Sequence, residues 1–191
     1  MHDVTSSRAS EFGDEAAARR LLEARARIAA RPAVSAESED VLEVLSFSLG
    51  GERYAVETCY VAEVRELAGL TSLPGAPSFL AGVTSLRGRV LAVIDLGALF
   101  GLPEVDATDS GLVIVLRGGG TEFGLLTCSV GDVMAVPVAT LGVGGPIVHG
   151  PHERFFKGFT LAALAVLDGA RLLADDALKV GGQTPRQGPA G

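Results

Sequence analysis

A single arginine in a turn is the residue best placed to do chemistry in this sequence. Arg87 and Gly88 separate two apolar runs, Gly82–Leu86 and Val90–Ile94. A guanidinium at this point can brace the turn through forked hydrogen bonds to a carboxylate or to carbonyl groups. It can also anchor a protein interface, where arginine is enriched. The turn therefore indicates recognition or an ion pair, and both roles stay open.

Two histidines, His149 and His152, are the other side chains that could form a reactive site. They could offer two imidazoles to a metal, which would make the chain a small metal-dependent hydrolase. The Gly-Pro pair between them opposes a helical ligand arrangement, and neither a Cys-x-x-Cys nor a His-Glu-x-x-His motif accompanies them. We therefore predict no enzyme, no catalytic residue and no cofactor or metal site, and keep the hydrolase as the alternative from another class.

Strands joined by glycine turns are predicted to position Arg87. Residues 45–49 alternate between apolar side chains and serine before a Gly-Gly pair, which is a hairpin signal. Short apolar runs and turns then continue along the chain, a pattern typical of a sandwich or barrel. The run Val90–Ile94 suits a strand buried on both faces. Short helices are predicted at Leu96–Phe100 and Asp168–Ala174.

The chain divides into three parts. Residues 1–40 are predicted to be a helical extension and linker, in which Asp14 caps the helix. Residues 41–179 form the folded domain. Its first barrel lies mainly at 41–100 and its second mainly at 111–179, because a loop rich in Pro, Asp and Thr separates the two halves. Residues 180–191 have too little apolar surface to fold and are predicted to be disordered.

The charge of the chain favours protein partners. Its 191 residues can bury a core, and its net charge of −7 opposes non-specific binding to nucleic acid or to an anionic membrane. Proline and glycine interrupt the longest uncharged stretch, so no membrane insertion is expected. A secretory signal is not apparent, which predicts a cytoplasmic protein. Cys59 and Cys128 are predicted to be small core residues without a redox role.

Three ordered motifs resemble those of the CheW family, the coupling proteins of bacterial chemosensory arrays. Residues 82–96 resemble the family signature Gly-Val-x-Asn-Leu-Arg-Gly followed by an apolar strand and Asp-Leu, with Ser85 in place of the usual Asn and Ala92 where Pro is common. Residues 61–64, Val-Ala-Glu-Val, resemble the family's Val-x-Glu-Ile, and residues 80–83 resemble Ile-x-Gly-Val. The resemblance covers about 41–179.

The resemblance implies a mostly β fold of two five-stranded SH3-like barrels that share an apolar core. It implies a non-enzymatic scaffold that couples methyl-accepting chemoreceptors to the histidine kinase CheA and that could form rings with copies of itself. Arg87 and Gly88 would support the kinase side, a groove near Val61, Glu63 and Gly82 would receive the receptor, and Arg87 would lie near Glu63. An adaptor of a pathway other than swimming, such as surface motility, biofilm formation or development, stays open as an alternative.

Overall fold

The structure is a computed structural model that describes residues 40–102, 111–142 and 151–179. The predicted extension and linker, apart from Asp40, and the predicted tail at 180–191 lie outside the described residues. No helix of the described part is long and apolar enough to cross a membrane.

Within these residues the chain forms ten strands and two short helices. The strands are β1 (Val41–Leu49), β2 (Glu52–Glu57), β3 (Val61–Glu66), β4 (Leu80–Leu86), β5 (Arg89–Asp95), β6 (Leu112–Gly118), β7 (Thr121–Thr127), β8 (Ser129–Pro137), β9 (Phe156–Phe159) and β10 (Leu164–Leu167). The helices are α1 (Leu96–Phe100) and α2 (Gly169–Ala174), and 3-10 turns lie at Thr58–Tyr60, Val138–Thr140 and Pro151–Phe155. The predicted hairpin at Gly50-Gly51 and both predicted helices are present.

The strands make two five-stranded sheets, each closed into a barrel. One sheet has the order β3-β6-β7-β5-β4 and the other β8-β1-β2-β10-β9. A bridge between Thr71 and Val83 joins the edges of the first sheet, and a bridge between Gly142 and Phe159 joins those of the second. The predicted fold class, mostly β with two five-stranded barrels, is confirmed.

The two barrels do not follow one another along the chain. The first, named the continuous barrel here, uses β3 to β7, whereas the split barrel combines β1 and β2 with β8 to β10. The sheets therefore do not coincide with the division expected at 101–110. Alternating side chains identify a strand but not its partner, and the parallel pairs β5·β7 and β2·β10 connect residues far apart in sequence.

A structural repeat relates the two barrels. The first repeat contains β1 to β5 and the second contains β6 to β10. When each strand is replaced by its equivalent in the other repeat, β1 by β6, β2 by β7 and so on, the order of one sheet becomes the order of the other. Corresponding positions have the same local structure: Gly82 and Gly158 have φ angles of 154° and 157°. Asp95 caps α1 and Asp168 caps α2, each accepting a hydrogen bond from the backbone N–H three residues later. The first hairpin of each repeat therefore lies in the barrel that contains the last three strands of the other repeat.

One apolar core joins the barrels, and each barrel has an interior of its own. The shared core contains residues from both sheets and both helices, among them Phe47, Tyr54, Ile94, Phe123 and Leu172. The interior of the continuous barrel consists of Leu86, Leu91, Val93, Val113, Val115 and Leu126. That of the split barrel consists of Val44, Ala55, Val136, Leu164 and Val166. Burial on both faces of the sheets explains the continuous apolar runs in the sequence.

Three burial predictions are wrong. Val90 was expected in a strand buried on both faces, but it is 74% exposed. Ala92 and Ile94 pack into the shared core, whereas Val90 lies nearer the turn and opposite exposed Ser85. Cys59 and Cys128 were expected in the core, yet both are exposed. They lie in turns, Cys59 in a 3-10 turn and Cys128 between β7 and β8, where side chains face solvent.

Candidate partner-binding site

The β4–β5 turn holds Arg87 in a defined position at one end of the continuous barrel. Leu86 pairs with Arg89, so the turn has only two residues, and both have left-handed backbones with φ of 49° at Arg87 and 77° at Gly88. This geometry matches the twist of a hairpin. Gly88 adopts it without steric penalty, and the space around it is open.

Arg87 pairs with Glu63 across the closure of the barrel. Its Nη2 donates a hydrogen bond of 2.7 Å to Oε2 of Glu63, which lies on β3. The Arg87 side chain is 71% exposed, and that of Glu63 is 24% exposed. The proximity implied by the family resemblance is therefore present. Arg87 therefore makes the bracing ion pair and is also exposed, whereas its role as an anchor at a protein interface stays a prediction.

The other oxygen of Glu63 has a different environment. Oε1 is buried and accepts no hydrogen bond from any residue the structure describes. Arg87 is consequently the partner that holds this carboxylate in place. Removal of the guanidinium would leave a half-buried charge without compensation, which is unfavourable.

Val61 and Gly82, the other two residues predicted for the receptor groove, are buried. Val61 is 6% exposed and packs into the shared core. A Cβ on Gly82 would lie 2.5 Å from the carbonyl oxygen of Thr71, so glycine is required where the chain closes the barrel. Both residues therefore support the barrel from within and do not form its surface.

A second ion-pair group lies beside Arg87, and sequence reasoning missed it. Arg117 on β6 and Glu122 on β7 are directly opposite across their hairpin, and Arg117 Nε donates to Glu122 Oε1 at 2.7 Å. Arg89 Nη2 donates to Glu122 Oε2 at 2.9 Å. The Arg117–Glu122 pair could have been found from the register around Gly119-Gly120. The contact with Arg89 depends on the parallel pairing of β5 with β7.

The split barrel has a charged cluster of another kind. Lys157 Nζ lies 3.1 Å from Glu57 Oε1 and 3.6 Å from Asp168 Oδ2, and both carboxylates are buried. Glu57 Oε2 also accepts from the backbone N–H of Gly169, the first residue of α2. Burial lowers the pKa of Lys157, but hydrogen bonds and charge from Glu57 and Asp168 outweigh it and raise the pKa above its usual value. This cluster joins β2, β9 and α2.

The histidines do not form a metal site in the described structure. His149 lies outside the described residues, and His152 packs between the rings of Phe100 and Phe155, with centroid distances of 6.1 and 6.3 Å. Across residues 40–102, 111–142 and 152–179, no three His, Cys, Asp or Glu side chains are grouped so that they could bind a metal ion.

Comparison with known proteins identifies the family. A family model described as a CheW-like domain matches residues 43–177, most of the chain. The chain belongs to the CheW-like family. The solved scaffolding protein CheW of Thermoanaerobacter tengcongensis has the same fold, with a TM-score of 0.61 and 23% identity over 72% of this chain and 96% of that one.

Curated relatives agree with this assignment. A probable chemotaxis protein CheW of Rhizobium etli is 33% identical over 54% of this chain and 67% of its own length. Chemotaxis protein CheW of Klebsiella aerogenes is 35% identical over 49% of this chain and 57% of its own length. Protein FrzA of Myxococcus xanthus is 32% identical over 57% of this chain and 68% of its own length. The chain thus spans 57% to 68% of the length of these three relatives. The predicted family is confirmed, and with it the class of function, a chemotaxis-type coupling protein.

Proposed function

We propose that this chain is a non-enzymatic scaffold that couples chemoreceptors to a CheA-type histidine kinase at the cytoplasmic side of a receptor array. The observation that carries the proposal is the pairing of exposed Arg87 with Glu63 on the frame of a CheW-like domain. This pair joins the turn assigned to the kinase with the strand assigned to the receptor. A single ion pair therefore contacts both proposed partner surfaces.

The proposed mechanism is binding and geometry. Arg87 uses Nη2 for Glu63, and its exposed guanidinium has further donors that a carboxylate or carbonyl of the kinase can accept. Val61 packs into the shared core and Gly82 lies where the chain closes the barrel, so both hold the barrel wall in place. A receptor that contacts Glu63 would change how firmly Arg87 is held. Receptor state would then reach the kinase as a shift in the population of arginine conformations.

The first experiment asks whether the full chain and the regulatory domain of a CheA kinase from the same organism form a complex. Size-exclusion chromatography with light scattering is expected to show a complex with the wild-type chain. The substitution Arg87→Glu is expected to abolish it, because two like charges would then face each other and the kinase contact would be lost. Arg53→Glu is the matched control, since Arg53 is an exposed arginine of the split barrel.

A charge exchange separates the bracing role of Arg87 from direct contact. The double substitution Glu63→Arg with Arg87→Glu rebuilds the internal ion pair in reverse. If Arg87 only braces the turn, the exchange restores the complex; if the kinase binds the guanidinium, the complex stays lost while thermal unfolding returns to the wild-type value. Failure of the wild-type chain to bind any such kinase would refute the proposal.

A second candidate function keeps the scaffold and changes the pathway. The similarity to protein FrzA is consistent with an array that controls behaviour other than swimming, such as surface motility, biofilm formation or development. Deletion of the gene distinguishes the two. Loss of swimming responses with normal surface motility would support the first candidate, and the reverse phenotype would support the second.

A further inference from the structure

Glu122 is shared by two arginines, and this leaves positive charge uncompensated. Its Oε2 pairs with Arg89 and its Oε1 with Arg117. One carboxylate carries one negative charge, whereas the two guanidiniums carry two positive charges. Glu122 is mostly buried, while both arginine side chains are more than half exposed. The excess charge is therefore on the solvent side.

The strand order concentrates this charge at one end of the continuous barrel. Strands β6, β7 and β5 are neighbours, so Arg117, Glu122 and Arg89 lie side by side. The turn with Arg87 directly precedes β5 and adds the pair with Glu63. Together this rim has three guanidiniums and two carboxylates, in a chain whose net charge is −7. A locally positive surface on an acidic protein attracts acidic partners through charge complementarity.

The arginines also retain unused hydrogen-bond donors. Arg89 donates through Nη2, and Arg117 donates through Nε and Nη2 to a single oxygen of Glu122. A guanidinium has five N–H groups in a planar fork suited to two carboxylate oxygens. Further carboxylates can therefore bind without displacing Glu122, or can replace it.

We propose that Arg89 and Arg117 form a docking surface for an acidic segment of a partner protein, and that Glu122 is an internal competitor for that segment. Glutamate and aspartate side chains of the partner would occupy the free edges of the two guanidiniums. A short acidic protein segment is favoured over nucleic acid because the rim, with three guanidiniums and two carboxylates, has too little excess positive charge to neutralise the many phosphates of a strand. Arg89 and Arg117 are not among the residues proposed to contact the kinase or the receptor, so this surface is additional to the coupling role.

The test uses the full chain and a fluorescently labelled ten-residue polyglutamate peptide. Anisotropy titrations are expected to show saturable binding that weakens as the salt concentration rises, because exposed charges are screened. Replacing both arginines, Arg89→Ala with Arg117→Ala, is expected to weaken binding about 10-fold. Glu122→Gln is expected to strengthen it about 3-fold to 5-fold, because removal of the competitor frees both guanidiniums. Arg53→Ala is the matched control and is expected to bind like the wild type.

The opposite signs of the two changes distinguish docking from damage to the fold. Both variants break the internal ion pairs, so a merely structural group would give losses in both. The proposal is overturned by lack of saturable binding, by weaker binding of Glu122→Gln, by an equal loss in Arg53→Ala, or by equally tight binding of a ten-nucleotide thymidine strand. Neither kinase nor receptor is used, so failure of this test and failure of the coupling role can be told apart.

Discussion

At the scale of single residues, Tyr54 has an expected effect on stability that its type alone would not suggest. The side chain is fully buried, and its hydroxyl has no hydrogen-bond partner among the described residues. Its ring stacks with Phe47 and Phe100. An unpaired buried hydroxyl is unfavourable, whereas the aromatic packing does not need it. We expect Tyr54→Phe to raise the free energy of unfolding by about 1 kcal/mol, measured by urea denaturation at neutral pH.

Alkaline pH provides a second readout for the same residue. Burial, with a smaller contribution from the charge of Glu52, raises the pKa of Tyr54 to about 12. Above the ordinary tyrosine pKa of about 10, the unfolded chain loses this proton and the folded chain keeps it, so stability falls by about 1.4 kcal/mol per pH unit until about pH 12. Tyr54→Phe should remove this part of the decline. A loss of stability in Tyr54→Phe at neutral pH would contradict the interpretation.

Residue types and spacing singled out Arg87 in its turn, but they did not indicate the ion pairs of Arg89 and Arg117 with Glu122. The turn between two apolar runs singled out the arginine, and the family motifs supplied Glu63. Arg89 and Glu122 form their contact only because β5 and β7 lie side by side. A parallel pairing of that kind depends on packing of the whole sheet and leaves no local pattern. Val61 and Gly82, predicted to lie at the receptor groove, are buried, because a motif does not state which face a side chain occupies.

At the scale of elements, Lys157 connects three of them. The two carboxylates on either side of it, Glu57 and Asp168, are 4% and 8% exposed, and α2 begins where Glu57 accepts from Gly169. We expect Lys157→Met to lower the free energy of unfolding by about 2 kcal/mol, a value reduced for partial solvent exposure. Buried Glu57 would lose its counterion, whereas Asp168 would keep only the exposed Arg171, whose Nε lies 3.4 Å from Oδ2. Urea denaturation at neutral pH measures the effect.

The matched control for Lys157 is Lys179→Met. Lys179 Nζ pairs with Asp176 Oδ1 at 2.7 Å, but Asp176 is almost fully exposed. Solvent screens such a pair, so this substitution should leave the urea midpoint unchanged. Equal effects of the two substitutions would show that burial of the carboxylates does not matter. The raised pKa of Lys157 predicts that its contribution is present below about pH 10.5 and is lost as the pH rises further.

Local elements could be predicted, and their assembly could not. The Gly-Gly hairpins, the strands and both helices follow from alternation, turn residues and aspartate caps, which act within a few residues. The exchange of hairpins between the barrels connects residues such as Tyr54 and Ala165. Nothing in the sequence of residues 101–110 reveals this exchange, because a barrel of five sequential strands would fit the same alternating pattern.

At the scale of the whole molecule, the exchanged hairpins make the halves mutually dependent. Residues 41–102 contain β1 to β5, but β1 and β2 need β8 and β10 as neighbours, and β3 and β5 are joined through β6 and β7. Residues 111–179 lack the complementary strands. The shared core likewise draws on both halves. A half expressed alone would therefore expose strand edges and apolar surface without the contacts that compensate for chain entropy.

We expect the fragments 41–102 and 111–179 to be unfolded separately and to fold when they are mixed. Circular dichroism of each fragment should lack a cooperative thermal transition, and the equimolar mixture should regain one together with the elution volume of the intact domain. Residues 61–127 form an informative comparison, because they contain all five strands of the continuous barrel in one stretch. That fragment should retain more strand signal than 41–102, although it exposes the shared core. Cooperative folding of 41–102 by itself would mean that its five strands can form a barrel without the exchange of hairpins. The exchange would then not determine the stability of the domain.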